Sequence, residues 1–372
     1  MAVTSLNPDD GLAELSDAGM ITGIVLCLLC GLTIVGTFFI IFIFCKNKSL
    51  HSNQNILILY LSCASFCLCV NRLVFTGGAV SKRAYQWGKL GCEIDGFNTM
   101  YFCHLCICTY AAMGVERYLT IVRQMTLKTW HFFTILVLNS LWALFSTTST
   151  YWADRTHQHH VLQPSNTYCT LDWWTSIYFT HISALGTVVL SLVIFAAGYY
   201  GLVRHLRHHA REWRDTADLW VSEETFNDPN ETIRWKKPRY CQLVAEKSVV
   251  LVLTFLANWL MYAYVMLYGL VTGTPTASII DCIAVVLVFN NNLAIVIYTV
   301  LLDKRWRRAA WNTLGLHKAA DLEKNVVVGR KKRPVSKAAS LDEDPDITAS
   351  DLGAENSAAP DTNAGHEAHT CP

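Results

Sequence analysis

Residues 91–122 read GCEIDGFNTMYFCHLCICTYAAMGVERYLTIV, a mainly apolar stretch that carries several polar side chains. A helix needs roughly 20 mainly apolar residues to cross the hydrocarbon core of a bilayer, because its backbone polar groups must bond within the segment. This stretch is therefore long enough to cross. Its polar residues predict that it is the central helix of a bundle, shielded from lipid by its neighbours.

Six further stretches meet the same criterion, and the composition agrees with them. Of the 372 residues, 52% are hydrophobic and 16% are charged, which is too apolar for a soluble domain of this length. The sequence therefore predicts an all-α membrane protein, a seven-transmembrane helix bundle over residues 20–302. The predicted spans are 20–45, 54–78, 91–122, 130–152, 176–203, 243–270 and 277–302.

Lysine and arginine in the connecting segments predict the orientation. They follow the first, third, fifth and seventh spans, as Lys46, Lys48, Arg123, Lys128, Arg204, Arg207, Lys304 and Arg305. These ends are expected to face the cytoplasm, although Lys82, Arg83 and Lys89 after the second span oppose this mildly. We expect a multi-pass protein of the plasma membrane with an acidic N-terminal tail, residues 1–19, outside.

Two segments are predicted after the seventh span. Residues 303–316 form a short amphipathic juxtamembrane helix, whose Trp306, Trp311 and arginines suit the inner membrane surface. Residues 317–372 are poor in large apolar side chains and are expected to be a disordered cytoplasmic tail. Basic residues precede Ser336 and Ser340, which suits a kinase and, after phosphorylation, a regulatory partner such as arrestin. The alternative is a tail that only contacts anionic membrane lipid.

The inner end of the third span carries Glu116-Arg117-Tyr118. This tripeptide resembles the signature of rhodopsin-like (class A) G-protein-coupled receptors, in which the acid holds the arginine until the cytoplasmic side opens. The alternative is a basic interfacial residue beside a chance acid. The resemblance implies a heterotrimeric G protein as partner. It also implies a coupling and switch site made of Glu116, Arg117, Tyr118, Phe255, Trp259 and Tyr298.

Cys92 lies at the outer start of the third span, and Cys169 lies in the loop before the fifth. Both are expected to face an oxidising space, so a disulfide between them is chemically allowed. The spacing from Cys92 to Arg117 also resembles that of the family. Such a bond would clamp the loop over the bundle.

Residues 87–97, WGKLGCEIDGF, and residues 169–173, CTLDW, resemble opsins at the start of helix three and in the loop that covers retinal. In that pattern the position of Asp95 carries the carboxylate counterion of visual pigments. The resemblance implies an apolar, aromatic outer pocket for an unknown small ligand, with Asp95 as partner of an amine or polar head group. The alternative is that Asp95 is solvated or paired with a loop base. The pocket residues are Asp95, Thr99, Met100, Cys103, Trp259, Tyr262 and Val288.

The seventh span departs from the opsin pattern. Opsins bind retinal as a Schiff base to a lysine near the middle of helix seven, but residues 279–302 contain no lysine. Counting back from Tyr298 places Val288 at that position. Because valine has no amine, covalent retinal is not expected, and no other cofactor or metal is predicted. A free aldehyde or another apolar ligand remains open.

Other positions of the family pattern also differ. Ser65 stands for the usual aspartate of helix two, Met261 for the proline of helix six, and residues 294–298, AIVIY, for the Asn-Pro-x-x-Tyr motif. The run Asn290-Asn291-Asn292 could replace part of the lost polar network. Alternatively, it supplies interhelical hydrogen bonds without a switching role.

The remaining patterns separate the function classes. We find no nucleotide-binding glycine loop, HExxH motif or catalytic elbow, so the sequence does not predict an enzyme. A net charge of +1 gives no indication of a nucleic-acid partner. The leading hypothesis is an opsin-like G-protein-coupled receptor that works without covalent retinal. The alternatives are a non-signalling opsin relative and a lipid scramblase or transporter, although no inverted repeat supports transport.

Overall fold

The computed structural model describes residues 13–125, 127–153, 160–174, 178–220, 250 and 253–314. In this part of the chain eight α-helices and two short antiparallel ribbons are present. The helices are α1 (Asp17–Lys46), α2 (Asn53–Lys82), α3 (Gly88–Arg117), α4 (Thr129–Ala153), α5 (Tyr178–Trp220), α6 (Leu253–Thr272), α7 (Ser278–Ile297) and α8 (Lys304–Thr313). The ribbons pair β1 (Ala13–Glu14) with β2 (Ala84–Tyr85) and β3 (His160–Leu162) with β4 (Cys169–Leu171).

Helices α1 to α7 are long and apolar enough to cross a membrane, which confirms the predicted fold class. Their ends lie within a few residues of the predicted spans, except that α5 continues past residue 203 to Trp220. The sequence from residue 204 to residue 220 contains neither glycine nor proline, so nothing there interrupts the helix. The start of the predicted sixth span and the tail 317–372 lie outside the described residues.

Helix α3 is the central helix, as predicted. It packs against α2, α4, α5 and both strands of the β3–β4 ribbon. Its backbone meets that of α5 at two glycines, since a Cβ atom on Gly198 would lie 2.9 Å from the carbonyl oxygen of Gly114. Small residues of this kind let transmembrane helices approach closely. Several polar side chains of α3 are buried among its neighbours, namely Asp95, Thr99, His104, Thr109 and Glu116.

In helix α8, the side chain of Trp306 lies in the protein interior. Asp303 begins this helix by accepting a hydrogen bond from the backbone N–H of Arg305 at 2.8 Å. Trp306 was predicted to suit the membrane surface, but its ring is fully buried and its Nε1–H donates to Asn55 at 3.3 Å. It packs with Ile40 and Ile43 of α1. The prediction was wrong for this side chain, because this face of α8 packs against α1.

Candidate functional site

A disulfide bond fixes the outer end of the bundle. Cys92 in the first turns of α3 is bonded to Cys169 of β4, with their Cα atoms 5.3 Å apart. Both cysteines are buried. The bond holds the β3–β4 ribbon against α3, as the family resemblance implied.

The loop that carries Cys169 enters the bundle rather than lying on its surface. Tyr168, Leu171 and Trp173 are almost completely buried and belong to the main hydrophobic core. The Thr170 hydroxyl lies 3.3 Å from the sulfur of Met100 on α3. The segment therefore covers the region where the sequence predicted a ligand pocket.

Asp95 is fully buried, and its two carboxylate oxygens are surrounded by donors. They accept hydrogen bonds from Asn71 at 2.9 Å, Thr99 at 3.4 Å and the backbone N–H of Cys169 at 2.9 Å. Arg72 completes the set with an ion pair at 3.4 Å. A carboxylate offers about four lone-pair positions, so the donors present use all of them. Asp95 is thus neither solvated nor paired with a loop base.

Arg72, on α2, was not among the predicted site residues. Its side chain is fully buried, and its Nη2 donates to the Thr99 hydroxyl at 2.7 Å. Its guanidinium carbon lies 4.7 Å from the ring centre of Tyr168 and 5.3 Å from that of Phe289. An ionisable residue within a span is a functional candidate by default, and this rule would have identified Arg72.

Asp281, in the first turn of α7, was also missed, although the same rule applies to it. It is fully buried and accepts hydrogen bonds from the Tyr168 hydroxyl at 2.7 Å and from the backbone N–H of Ser165 at 3.2 Å. Burial, with the nearby Asp281 carboxylate, raises the pKa of Tyr168 far above its ordinary value, so the phenol remains a donor. The loop is therefore bonded to α3 through Asp95 and to α7 through Asp281.

The other predicted pocket residues lie in or beside the main core. Cys103 and Tyr262 are partly buried and pack against it, whereas four residues are buried. These four are Thr99, Met100, Trp259 and Val288. The Trp259 and Tyr262 rings stand nearly perpendicular with centres 6.1 Å apart. The surroundings of Trp259, Tyr262 and Val288 are apolar and aromatic, whereas Asp95 and Thr99 lie in a buried polar network with Arg72.

Below this region, three successive asparagines of α7 bond three different helices. Successive residues of a helix project about 100° apart, so a run of three reaches several neighbours. The bonds join Asn290 to Asn258 of α6 at 3.2 Å, Asn291 to Tyr110 of α3 at 2.9 Å, and Asn292 to Ser65 of α2 at 2.9 Å. These are the interhelical hydrogen bonds that the sequence left open, and a switching role stays a prediction.

The predicted switch aromatics continue this region towards the end of the bundle that carries Glu116 and Arg117. The ring of Phe255 is buried, with its centre 6.1 Å from that of Trp259 and 4.3 Å from that of Tyr110. Tyr298 begins a π-helical turn that extends α7 to Leu302. Phe255 thus lies just under one helical turn from Asn258, on the side away from Trp259 and Tyr262, and packs against Tyr110, which bonds Asn291.

At the inner end of α3, Arg117 contacts its neighbouring acid. Its Nε lies 3.4 Å from a carboxylate oxygen of Glu116, and Glu116 also accepts from the Thr120 hydroxyl at 3.2 Å. Glu116 is buried, whereas the Arg117 side chain is 26% exposed. Tyr118 begins a second π-helical turn and packs against Gly201 of α5. The expected contact between Glu116 and Arg117 is therefore present.

Comparison with known proteins finds opsins and a retinal G protein-coupled receptor among the proteins to which this chain is similar. Opsin Rh3 of Drosophila melanogaster is 23% identical over 261 residues, 68% of this chain and 67% of that protein. The melanopsin of Rattus norvegicus is 25% identical over 65% of this chain and 50% of its own length. The RPE-retinal G protein-coupled receptor of Mus musculus is 32% identical over 46% of this chain and 57% of its own. The chain thus spans between half and about two thirds of these relatives.

A solved structure and a family profile point to the same group of proteins as these relatives. The structure of squid rhodopsin matches with a TM-score of 0.67 and 19% identity, over 87% of this chain and 94% of that one. The sequence profile described as "7 transmembrane receptor (rhodopsin family)" matches residues 36–301. Together with the disulfide, the central α3 and the Glu116–Arg117 pair, this match identifies the chain as a member of the rhodopsin family of seven-transmembrane receptors, with opsins among its relatives.

Proposed function

We propose that this chain is a G-protein-coupled receptor that transduces the signal of a small ligand in its outer pocket to a heterotrimeric G protein, without covalent retinal. The observation that carries the proposal is the ion pair of Arg117 with the buried Glu116 at the inner end of α3. A partly exposed arginine held by an adjacent acid is positioned to change partners when the cytoplasmic side opens.

The proposed signal passes from the pocket to this pair through α6. Ligand binding beside Trp259 favours an outward position of α6, which opens a cleft around Arg117 for the G protein. The hydrogen bond between Asn258 and Asn290 joins α6 to α7 and opposes that movement. Phe255 and Trp259 lie on the same helix, so the ligand acts on the element that moves.

The residues of α7 do not fit a retinal Schiff base. Val288 is buried and has no amine, and the sequence contains no lysine from residue 248 to residue 303. The carboxylate of Asp95, which would face the iminium, is already paired with Arg72. These facts support a receptor whose ligand is bound without a covalent bond.

The proposal also assigns a location and partners. Lysine and arginine follow the first, third, fifth and seventh helices, which supports a plasma-membrane receptor with its N-terminus outside. The Cys92–Cys169 disulfide suits an oxidising outer side. Ser336 and Ser340 of the cytoplasmic tail are proposed as kinase sites for arrestin recruitment, and basic residues near them as contacts for anionic lipid.

Expression of the wild type and of Arg117→Ala in the same cells tests the proposal. G-protein activation is recorded with a panel of heterotrimer sensors, in dark and light, with and without 11-cis-retinal. We expect basal activation above that of Arg117→Ala and no response to retinal or light. The control Arg83→Ala removes an exposed arginine at the opposite end of the bundle and should behave as wild type.

The alternative of a lipid scramblase predicts a different result. In that case purified protein would translocate labelled phospholipid across liposomes, Arg117→Ala would do so equally well, and no heterotrimer would respond. A non-signalling opsin relative would be inactive in both assays.

A further inference from the structure

The outer end of the bundle contains a charged group whose hydrogen-bonding capacity is not fully used. A guanidinium has five N–H donors. In Arg72 one nitrogen contacts Asp95 and another donates to Thr99, but Nε, although buried, has no partner among the described residues. Asp95, in contrast, already receives four donors. A further ligand in this region is therefore better matched to Arg72 than to Asp95.

A second unpartnered donor lies in the same hydrophobic core. The indole Nε1–H of Trp259 is buried and has no hydrogen-bond partner among the described residues. Trp259 belongs to the core cluster that also contains Val288 and Phe289, and the Phe289 ring contacts the Arg72 guanidinium. Buried donors without partners carry a free-energy penalty, which a ligand oxygen would remove.

We propose that the outer pocket binds an apolar ligand that ends in a carboxylate, and that Arg72 is the residue that selects this head group. The inference rests on the proposed receptor function and names the ligand class of its pocket. It replaces the sequence-based expectation that Asp95 is the partner of an amine or polar head group. An amine would meet the positive charge of Arg72 and find the acceptors of Asp95 occupied.

The geometry of the guanidinium suits a carboxylate. Nη2 has two hydrogens and Thr99 takes one, so the second hydrogen and the Nε–H form a fork that can bind two oxygens in parallel. Asp95 has three donors besides Arg72, namely Asn71, Thr99 and Cys169, so it stays hydrogen-bonded if Arg72 turns towards the ligand. The ligand carboxylate can thus share Arg72 with Asp95 or take it over, and Asp95 keeps hydrogen-bond donors in either case.

Access to Arg72 requires movement of the loop. The Tyr168 ring lies over the guanidinium, and its hydroxyl is bonded to Asp281 of α7. A ligand that reaches the head-group site must displace this ring, whereas the disulfide keeps the adjacent Cys169 in place. Tyr168→Phe keeps the ring but removes its bond to Asp281, so this variant should bind the carboxylate ligand more tightly.

The test uses the purified full chain in lipid nanodiscs, without G protein. Retinoic acid, retinol and retinylamine share one polyene and differ only in the head group, and their binding is measured by quenching of tryptophan fluorescence against empty nanodiscs. We expect the acid to bind about tenfold more tightly than the amine, the discrimination given by one charge-assisted hydrogen-bonded pair. Arg72→Lys keeps the charge but lacks the two parallel N–H donors. It should therefore weaken the binding of retinoic acid about tenfold and change the binding of retinol little.

Two further variants, tested in the same binding assay, complete the experiment. Asp95→Asn leaves Arg72 intact, frees it from its carboxylate partner and should tighten binding of the acid. Arg83→Lys, at an exposed position, is the matched control, and thermal unfolding shows that each variant is folded. Equal or tighter binding of the amine, an unchanged affinity in Arg72→Lys, or no binding of the acid would each overturn the proposal. Because no G protein is present, a failure of coupling would leave this result unaffected, and the reverse also holds.

Discussion

Arg72 of α2 and Asp95 of α3 form an ion pair at 3.4 Å in which both side chains are fully buried. Removing both charges from water has a desolvation cost that their attraction only partly offsets. The pair is therefore weak evidence for net stability. Removal of one partner, however, leaves a charge in the interior of the bundle.

The first prediction concerns this pair. Arg72→Met should lower the free energy of unfolding by about 3 to 5 kcal/mol, because Asp95 would remain charged and buried. Arg72→Met combined with Asp95→Asn should lose clearly less, since the amide that replaces the carboxylate is neutral and keeps an oxygen for the neighbouring donors. Denaturant unfolding of the purified variants measures both values. Equal losses in the single and double variants would contradict the role assigned to the charge.

The second prediction concerns the disulfide between Cys92 and Cys169. Cys92→Ser and Cys169→Ser should each reduce stability by about 2 to 5 kcal/mol, the range for native disulfides, and should reduce the amount of protein at the cell surface. The double variant should resemble either single variant, because both remove the same bond. If both thiols of the native wild type reacted with a maleimide, the bond would be absent.

The third prediction concerns the asparagine bonds of α7. Asn290→Ala removes the hydrogen bond to Asn258 of α6, so it should raise basal nucleotide exchange by favouring the outward position of α6. Asn258→Ala should have the same effect, and the double variant should add little to it. The measurement is exchange on the responding G protein.

Tyr110→Phe provides the control for this effect. It removes the bond from Asn291 to α3, which is not the helix expected to move, so it should lower stability without raising exchange. If all three variants raise exchange equally, the Asn258–Asn290 bond has no special role.

The fourth prediction concerns retinal. The wild type mixed with 11-cis-retinal should form no red-shifted pigment and no borohydride-stable adduct, because α7 has no amine. Val288→Lys together with Arg72→Met supplies an amine and frees Asp95 from its cationic partner, so a pigment is expected there and not in Arg72→Met alone. Absorption spectra show whether a red-shifted pigment forms, and borohydride reduction shows whether the retinal is bound covalently. A covalent pigment in the wild type would contradict our account of α7.

The sequence alone predicts more of the fold than of the candidate site. Seven apolar stretches define the bundle, because the bilayer requires long apolar helices whatever surrounds them. The partner of Asp95 could not be assigned in this way, since Asn71 and Arg72 reach it from another helix and depend on the relative rotation of α2 and α3.

The same limit applies to α7 and α8. The burial of Trp306 depends on Asn55 and α1, which are far away in the sequence, so amphipathicity alone could not show which side of α8 it faces. Asp281 could have been recognised as an ionisable residue within a span, but its bond to Tyr168 required the path of the loop. Long-range partners of polar residues are thus what the sequence leaves undetermined.

The most direct test of the account is guanine-nucleotide exchange on purified heterotrimeric G proteins, catalysed by the chain in nanodiscs with 11-cis-retinal present, in dark and in light. We predict exchange by the wild type that exceeds that of Arg117→Ala for at least one heterotrimer and is the same in dark and light. Exchange that does not depend on Arg117, or that rises on illumination, would contradict a receptor that couples to G proteins without covalent retinal.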